Sequence, residues 1–181
     1  MITRLDIFDF DGTLFQSPQP PEWWKKGSWF RDATSLDPPC VPKRPGSEWW
    51  NKSVVGKAKK SRSNSKTFSV LLTGRWAKVF EPRVRELLKQ QGLSFDHLQL
   101  PSSPGAIAFK SAVIAKLLDR LPDVKEIEVY DDHAPHAQIF KKVGAKRGID
   151  VRINNVAYRP HEPECPSPLE HLIREARITL W

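Results

Sequence analysis

Two aspartates one residue apart, Asp9 and Asp11, close the apolar run Leu5, Ile7, Phe8, and Gly12 then frees the backbone to turn. By itself this reads equally well as an Asx-Gly turn after an ordinary strand. Three more places along the chain carry matching chemistry: Thr73-Gly74-Arg75 after the run Phe68 to Leu72, Lys110 on an otherwise apolar helix stripe, and Asp131-Asp132 after Lys125 to Tyr130. Together these groups can transfer a phosphoryl group. A carboxylate such as Asp9 can attack phosphorus and form an aspartyl-phosphate. A second acid two residues on, Asp11, can protonate the leaving oxygen and later activate water. Four acids beside a phosphate dianion repel unless cations lie among them. Mg²⁺ suits such all-oxygen ligation. Lys110, the Thr73 hydroxyl and backbone N–H groups can hold the remaining phosphate oxygens.

The elements that must position these groups follow from hydrophobic spacing. Strands are expected at Leu5 to Phe8, Phe68 to Leu72, Phe95 to Leu100, Lys125 to Tyr130 and, less apolar and so at an edge, Val151 to Tyr158. Between and after them, helical periodicity predicts helices over 76–91, 106–121, 134–147 and 168–178. Lys110 falls on the core face of the second of these, with Ile114, Leu117, Leu118 and Leu121. There it is either paired or a snorkelling surface lysine. Strands alternating with helices imply a Rossmann-like α/β three-layer sandwich with a mostly parallel central sheet. Right-handed crossovers then bring every strand-to-helix junction to one edge.

Residues 14–67 have a different character. They hold five of the 7 tryptophans and seven of the 16 prolines, too many prolines for regular structure throughout. The expectation is one domain over 1–181, with 14–67 a loop-rich insertion, or cap, over the strand tips. Its tryptophans (Trp23, Trp24, Trp49 and Trp50 among them) either pack the insertion or stack on a base. The run 57–66, with Lys57, Lys59, Lys60 and Arg62, is read as a mobile solvated loop or a phosphate-contacting one.

The net charge of +8 favours polyanions and small phosphorylated substrates alike. No apolar run approaches the ~18 residues of a membrane span. The first strand starts within a few residues of Met1, so no secretory leader is expected and the protein is placed inside the cell, in cytoplasm or nucleus. Cys40 and Cys165 form no CxxC pair and are expected as free thiols, one disulfide being the alternative. His161, Cys165 and His171 match no zinc spacing, and no GxxxxGK[ST] loop occurs. His136 shares a helix face with Phe140 and Val143 and is expected as a packed core histidine. His133, beside the acids, is expected to contact substrate or an acid. Arg75 either organises the helix start or contacts substrate.

Taken together, the four places resemble the haloacid dehalogenase (HAD)-like phosphohydrolases. Asp9-Phe10-Asp11-Gly12-Thr13 is similar to their DxDGT motif, Leu72-Thr73-Gly74-Arg75 to the second motif, Lys110 to the third-motif lysine and Asp131-Asp132 to the acidic fourth motif. A closer resemblance is to the HAD-type domain called Swiss Army Knife RNA repair-like. It rests on Phe10 to Phe15 followed by Pro and Trp, a Trp-Trp pair before the second strand, Val70 to Arg75, Leu93 to Asp96, Phe109-Lys110 and Tyr130 to His133. The resemblance implies Asp9 as nucleophile and Asp11 as general acid/base. It implies Mg²⁺ held by Asp9, the Asp11 backbone carbonyl, Asp131 and Asp132, with Thr73, Gly74 and Lys110 on the phosphate. With the basic charge and the tryptophans, it leads to a phosphatase acting on an RNA or DNA end. The alternatives are a phosphatase of small nucleotide or sugar phosphates, and a nucleic-acid-binding module with an idle phosphatase site.

Overall fold

The computed structural model describes residues 1–103, 105–161 and 165–178. Its strands are β1 (Arg4–Phe8), β2 (Thr67–Leu72), β3 (His97–Gln99), β4 (Glu126–Asp131) and β5 (Asp150–Asn155). They form one five-stranded sheet in the order β3-β2-β1-β4-β5, every pair parallel. The α-helices are α1 (Lys52–Ser63), α2 (Ala77–Gln90), α3 (Ala106–Arg120), α4 (Ala134–Ala145) and α5 (Pro168–Ile178). The strand order reverses direction at β1, between β2 and β4. In such sheets a crevice opens outside the carboxyl ends of the central strands.

Alternation along the strands builds two cores. Phe8, Leu71 and Tyr130 face one side and meet Val54, Val55 and Ala58 of α1 with Phe80, Val84 and Leu87 of α2. Leu5, Ile7, Val70 and Val129 face the other and meet Val113, Ile114 and Leu117 of α3 with Phe140 of α4. The central strands are therefore buried on both faces, as parallel sheets with helical crossovers require. Phe8 and Tyr130 stack at 4.8 Å across β1 and β4. β5 lies at the edge as expected and ends at Asn155, short of Tyr158; β3 is trimmed to three residues.

Two expectations are corrected. The basic run 57–66 is not a loop: through Ser63 it is the body of α1. Val54, Val55, Ala58 and Ser61 are its buried stripe, and the Asn51 side chain caps it by accepting from Val54 N at 3.3 Å. The basic residues occupy the opposite, exposed face, which is why a count of charges concealed the helix. The cysteines are not free: Cys40 and Cys165 form a disulfide with a Cα–Cα distance of 4.3 Å. It ties the insertion to the segment before α5, and Trp23 Nε1 donates to Cys165 O at 2.8 Å alongside it. Of the two readings of the tryptophans, packing holds for Trp49 and Trp50: both are buried against Phe15, at 5.5 and 5.0 Å between ring centroids.

Candidate active site

β1 delivers Asp9 to the sheet edge, where its N–H donates to Tyr130 O of β4 at 2.9 Å. The chain then turns tightly. Gly12 has φ +66°, and a Cβ there would collide with the Asp132 carboxylate and the Tyr158 ring. Only glycine serves both the backbone conformation and this approach. Asp132 in turn accepts from Thr13 Oγ1 at 3.4 Å.

Beneath the turn lies a buried ionic cluster. Lys110, in the second turn of α3 and 1% exposed, places Nζ 2.9 Å from Asp131 Oδ2 and 3.2 Å from Asp9 Oδ1. Asp131 also accepts from His133 N at 2.8 Å and lies 2.9 Å from His136 Nδ1. Burial opposes ionisation of Asp131, but His136 and Lys110 together hold its pKa below the usual carboxylate range. Burial likewise opposes the charge on Lys110, yet Asp9 and Asp131 outweigh it and raise its pKa. Asp9 fares differently. Its Oδ1 is buried with no hydrogen bond, since the Lys110 ammonium is near but not aligned to donate. Burial, reinforced by Asp131, Asp11 and Asp132, pushes its pKa well above the usual value against the pull of Lys110.

Asp11 faces another way. Arg75, in the turn before α2 and buried, donates from Nε and Nη2 to the Asp11 carboxylate at 2.7–2.9 Å. Its Nη1 donates to Ser35 Oγ of the insertion at 2.7 Å, and its guanidinium lies 4.6 Å from the Phe80 ring. Ser17 Oγ also donates to Asp11. Thr73 ends β2 fully buried, its hydroxyl accepting from Arg75 N at 3.3 Å.

Asp9, Asp11, Gly74, Arg75, Asp132 and His133 line a cleft of about 300 Å³, with Lys110 and Asp131 below Asp9. These sequence-predicted residues are thus brought together. Others are not. Lys57, Lys59, Lys60 and Arg62 are exposed on α1, which starts beside Leu14 and runs back toward the beginning of β2. Arg62, near its far end, pairs with Asp96 at 3.1 Å. Trp23 and Trp24 pack edge-on against each other, and Trp24 against Trp29, outside the cleft lining.

Sequence reasoning missed several residues at the site. His136 is no core histidine: it lines the cleft and bonds Asp131. Its face with Phe140 is indeed the inner one, but the first turn of that face ends at the strand tips, as with Lys110. Gln19, Phe30, Arg31 and Tyr158 also line the cleft, and no spacing in the sequence marks them. Asp9, Asp131 and His136 each present a ligand atom within 4.8 Å of the others. The Asp11 side chain is turned to Arg75, and Asp132 accepts from Thr13.

Residues 10–167 match the family model described as HAD domain family 1 in Swiss Army Knife RNA repair proteins. The chain belongs to this family. Among curated proteins, an uncharacterised Saccharomyces cerevisiae protein, YMR265C, is 25% identical over 172 residues, covering 77% of this chain. The match spans only 36% of that relative's length. Among solved structures, the Pnkp1/Rnl/Hen1 RNA repair complex contains a chain similar at a TM-score of 0.59 and 14% identity, over 86% of this chain and 43% of that one. The HAD domain of the Legionella pneumophila effector Lem4 is similar at a TM-score of 0.55 and 11% identity, over 99% and 98%. At these identities the two structures speak for the HAD fold, and the all-parallel sheet agrees. In this HAD domain the strand tips gather the four acids, and the insertion contributes Ser35 to hold Arg75.

Proposed function

We propose that this HAD domain is a Mg²⁺-dependent phosphohydrolase that removes a terminal phosphate from a nucleic-acid end. The observation that carries the reading is Asp9 Oδ1, a buried carboxylate oxygen lacking a hydrogen bond beside Asp131 and Lys110. Asp9 and Asp131 share the single Lys110 ammonium, so two ionised acids there call for a further cation. The donors around it fit a hard divalent ion: Asp9 and Asp131, with Asp132 and His136 adjacent. Bound there, Mg²⁺ supplies the positive charge that lets ionised acids and a phosphate dianion coexist.

The chain's own residues then divide the work. Asp9 attacks phosphorus, forming the aspartyl-phosphate while the phosphorus–oxygen bond to the leaving group breaks. Asp11 gives the leaving oxygen its proton, then takes one from the water that cleaves the aspartyl-phosphate, restoring both carboxyl groups. Before it can do so, Asp11 must exchange part of its contact with Arg75 for the substrate. Lys110 holds a phosphate oxygen, with Thr73 and Gly74 shaping that side of the cleft. The nucleic-acid end as substrate is supported by family membership and by the net charge of +8. A small phosphate ester is the second reading. It is favoured by the cleft's volume of about 300 Å³ and by a lining without the lysines of α1.

The test is a panel of 5′- and 3′-phosphorylated oligonucleotides and p-nitrophenyl phosphate, each with Mg²⁺. Wild type and Asp9→Asn are compared side by side. Phosphate release from an oligonucleotide that disappears in Asp9→Asn is the expected result. Release from p-nitrophenyl phosphate alone would replace the polynucleotide reading with the small-ester one. Identical traces for the two proteins would overturn the phosphatase reading altogether.

A further inference from the structure

A second cavity adjoins the candidate active site. Its volume is about 520 Å³, and Gln16, Glu48, Lys52, Ser53, Arg159 and His161 lie in its lining. The two cavities share a wall made of two stitched segments: Tyr158 Oη donates to Ser17 O at 2.6 Å, Arg159 N to Gln16 Oε1 at 3.3 Å and His161 N to Gln16 O at 3.3 Å. Gln19 and Tyr158 face the cleft of Asp9, while Gln16, Arg159 and His161 face the second cavity.

The polar groups of this cavity are unspent. Lys52 and Arg159 are exposed, and among the described residues neither side chain has an ion-pair partner. Gln16 is 8% exposed; its Oε1 is taken by Arg159 N, while its Nε2 has no hydrogen-bond partner among the described residues. The Gln16 amide can therefore donate to an acceptor in the cavity. Among the described residues, Glu48 is the one acid in the lining, and its carboxylate is folded back over Gly46. Lys52, Arg159, the Gln16 amide and the Ser53 hydroxyl make a site for an anion with several acceptor oxygens. The Trp49–His161 pair at 4.2 Å stiffens its back wall.

We propose that this cavity is a second phosphate subsite, taking an internal phosphodiester of a single-stranded nucleic acid whose terminal phosphate occupies the Asp9 cleft. The inference rests on the phosphatase reading and deepens it, by locating the polymer's path over the Ser17–Tyr158 wall to the first turn of α1 rather than along the length of that helix. A mononucleotide fills the first site alone; reaching both takes a strand.

The experiment is binding, which requires no turnover. Asp9→Asn protein is titrated with a fluorescent, phosphorylated hexanucleotide over a range of salt concentrations. The same is done for Asp9→Asn carrying Lys52→Ala and Arg159→Ala. A control carries Lys89→Ala and Lys116→Ala, an equal loss of charge outside both cavities. The Lys52/Arg159 variant is expected to bind about fivefold to tenfold more weakly. Its log Kd against log salt slope should fall by about 1.4, that is 0.7 for each lost cation. The control should match its parent. Phosphorylated mononucleotide should not distinguish the three proteins. Equal losses in the control and the Lys52/Arg159 variant, or the same loss for mononucleotide as for hexanucleotide, would overturn the subsite. Loss of the phosphatase reading is read separately, from the absence of phosphate release by wild type on every ester.

Discussion

Replacing Arg75 by alanine tests the link between the insertion and the proposed acid/base. Arg75 is 2% exposed and directs three nitrogens at two partners, the Asp11 carboxylate and the Ser35 hydroxyl, with Phe80 beneath. Removing one partner of a buried ion pair costs about 3–5 kcal/mol, because the other charge stays behind unpaired. Here the lower end applies: the Asp11 side chain is 22% exposed and keeps the Ser17 hydroxyl. A loss of about 3 kcal/mol corresponds to a fall in Tm of about 6–12 °C for a chain of this size. Arg75→Lys keeps the charge but not the fork, and should fall between. Urea unfolding of Arg75→Ala, Asp11→Ala and the double variant isolates the pair, since the double variant has no orphaned carboxylate. A coupling energy below about 0.5 kcal/mol would refute the account. So would Arg75→Ala as stable as wild type.

Metal should register without any substrate. Mg²⁺ at a hundred times its Kd stabilises wild type by about 2.7 kcal/mol, read as a rise in Tm that Asp131→Asn loses and EDTA reverses. In EDTA, Asp9→Asn should be at least as stable as wild type at neutral pH, because it removes a buried carboxylate that lacks a hydrogen bond and is pushed toward its neutral form; a fall in Tm would contradict this. Glu128 provides a pH test. Burial opposes its charge, but Tyr130, Arg4 and Asn154 together hold its pKa below the ordinary value. Its contribution to stability is therefore present above the unfolded-state pKa and lost as pH falls through the folded one. The acid limb of the stability curve should flatten in Glu128→Gln, and an unchanged limb would count against the cluster. Trp49→Ala should cost about 3–5 kcal/mol as a buried aromatic truncation, against much less for half-buried Trp24→Ala, both by urea unfolding.

The framework was legible because strand and helix periods were clean and every strand tip ended in a polar residue. Asp9, Thr73, Lys110 and Asp131 each stand where an apolar run stops or is interrupted, and the sheet topology does the rest. What stayed hidden depends on chain segments far apart in sequence. Cys40 and Cys165 are separated by 125 residues, and nothing in their spacing brings them within reach. Tyr158 reaches the cleft because β5 ends three residues early and the chain bends back over Ser17. α1 was masked differently: its apolar stripe is short and made of small residues, Val54, Val55 and Ala58, while its charges are many. Composition registered the charges and missed the stripe.

The position of α1 also changes what the basic charge can mean. Its lysines face solvent along a helix that leaves the strand tips and descends beside the sheet. Long-range attraction of a polyanion needs no contact, and exposed charges within a Debye length of about 8 Å still act on it. Choice of substrate does need contact, and Arg31, Phe30, His133 and Tyr158 line the cleft where the proposed reaction would take place. The insertion serves both sides of this division. Ser35 holds Arg75 and through it Asp11, while Phe30 and Arg31, a few residues earlier on the same stretch, line the cleft. In the proposed reaction, drawing Asp11 toward a leaving oxygen would therefore act on the Arg75–Ser35 contact as well, and would couple the insertion to the proton step.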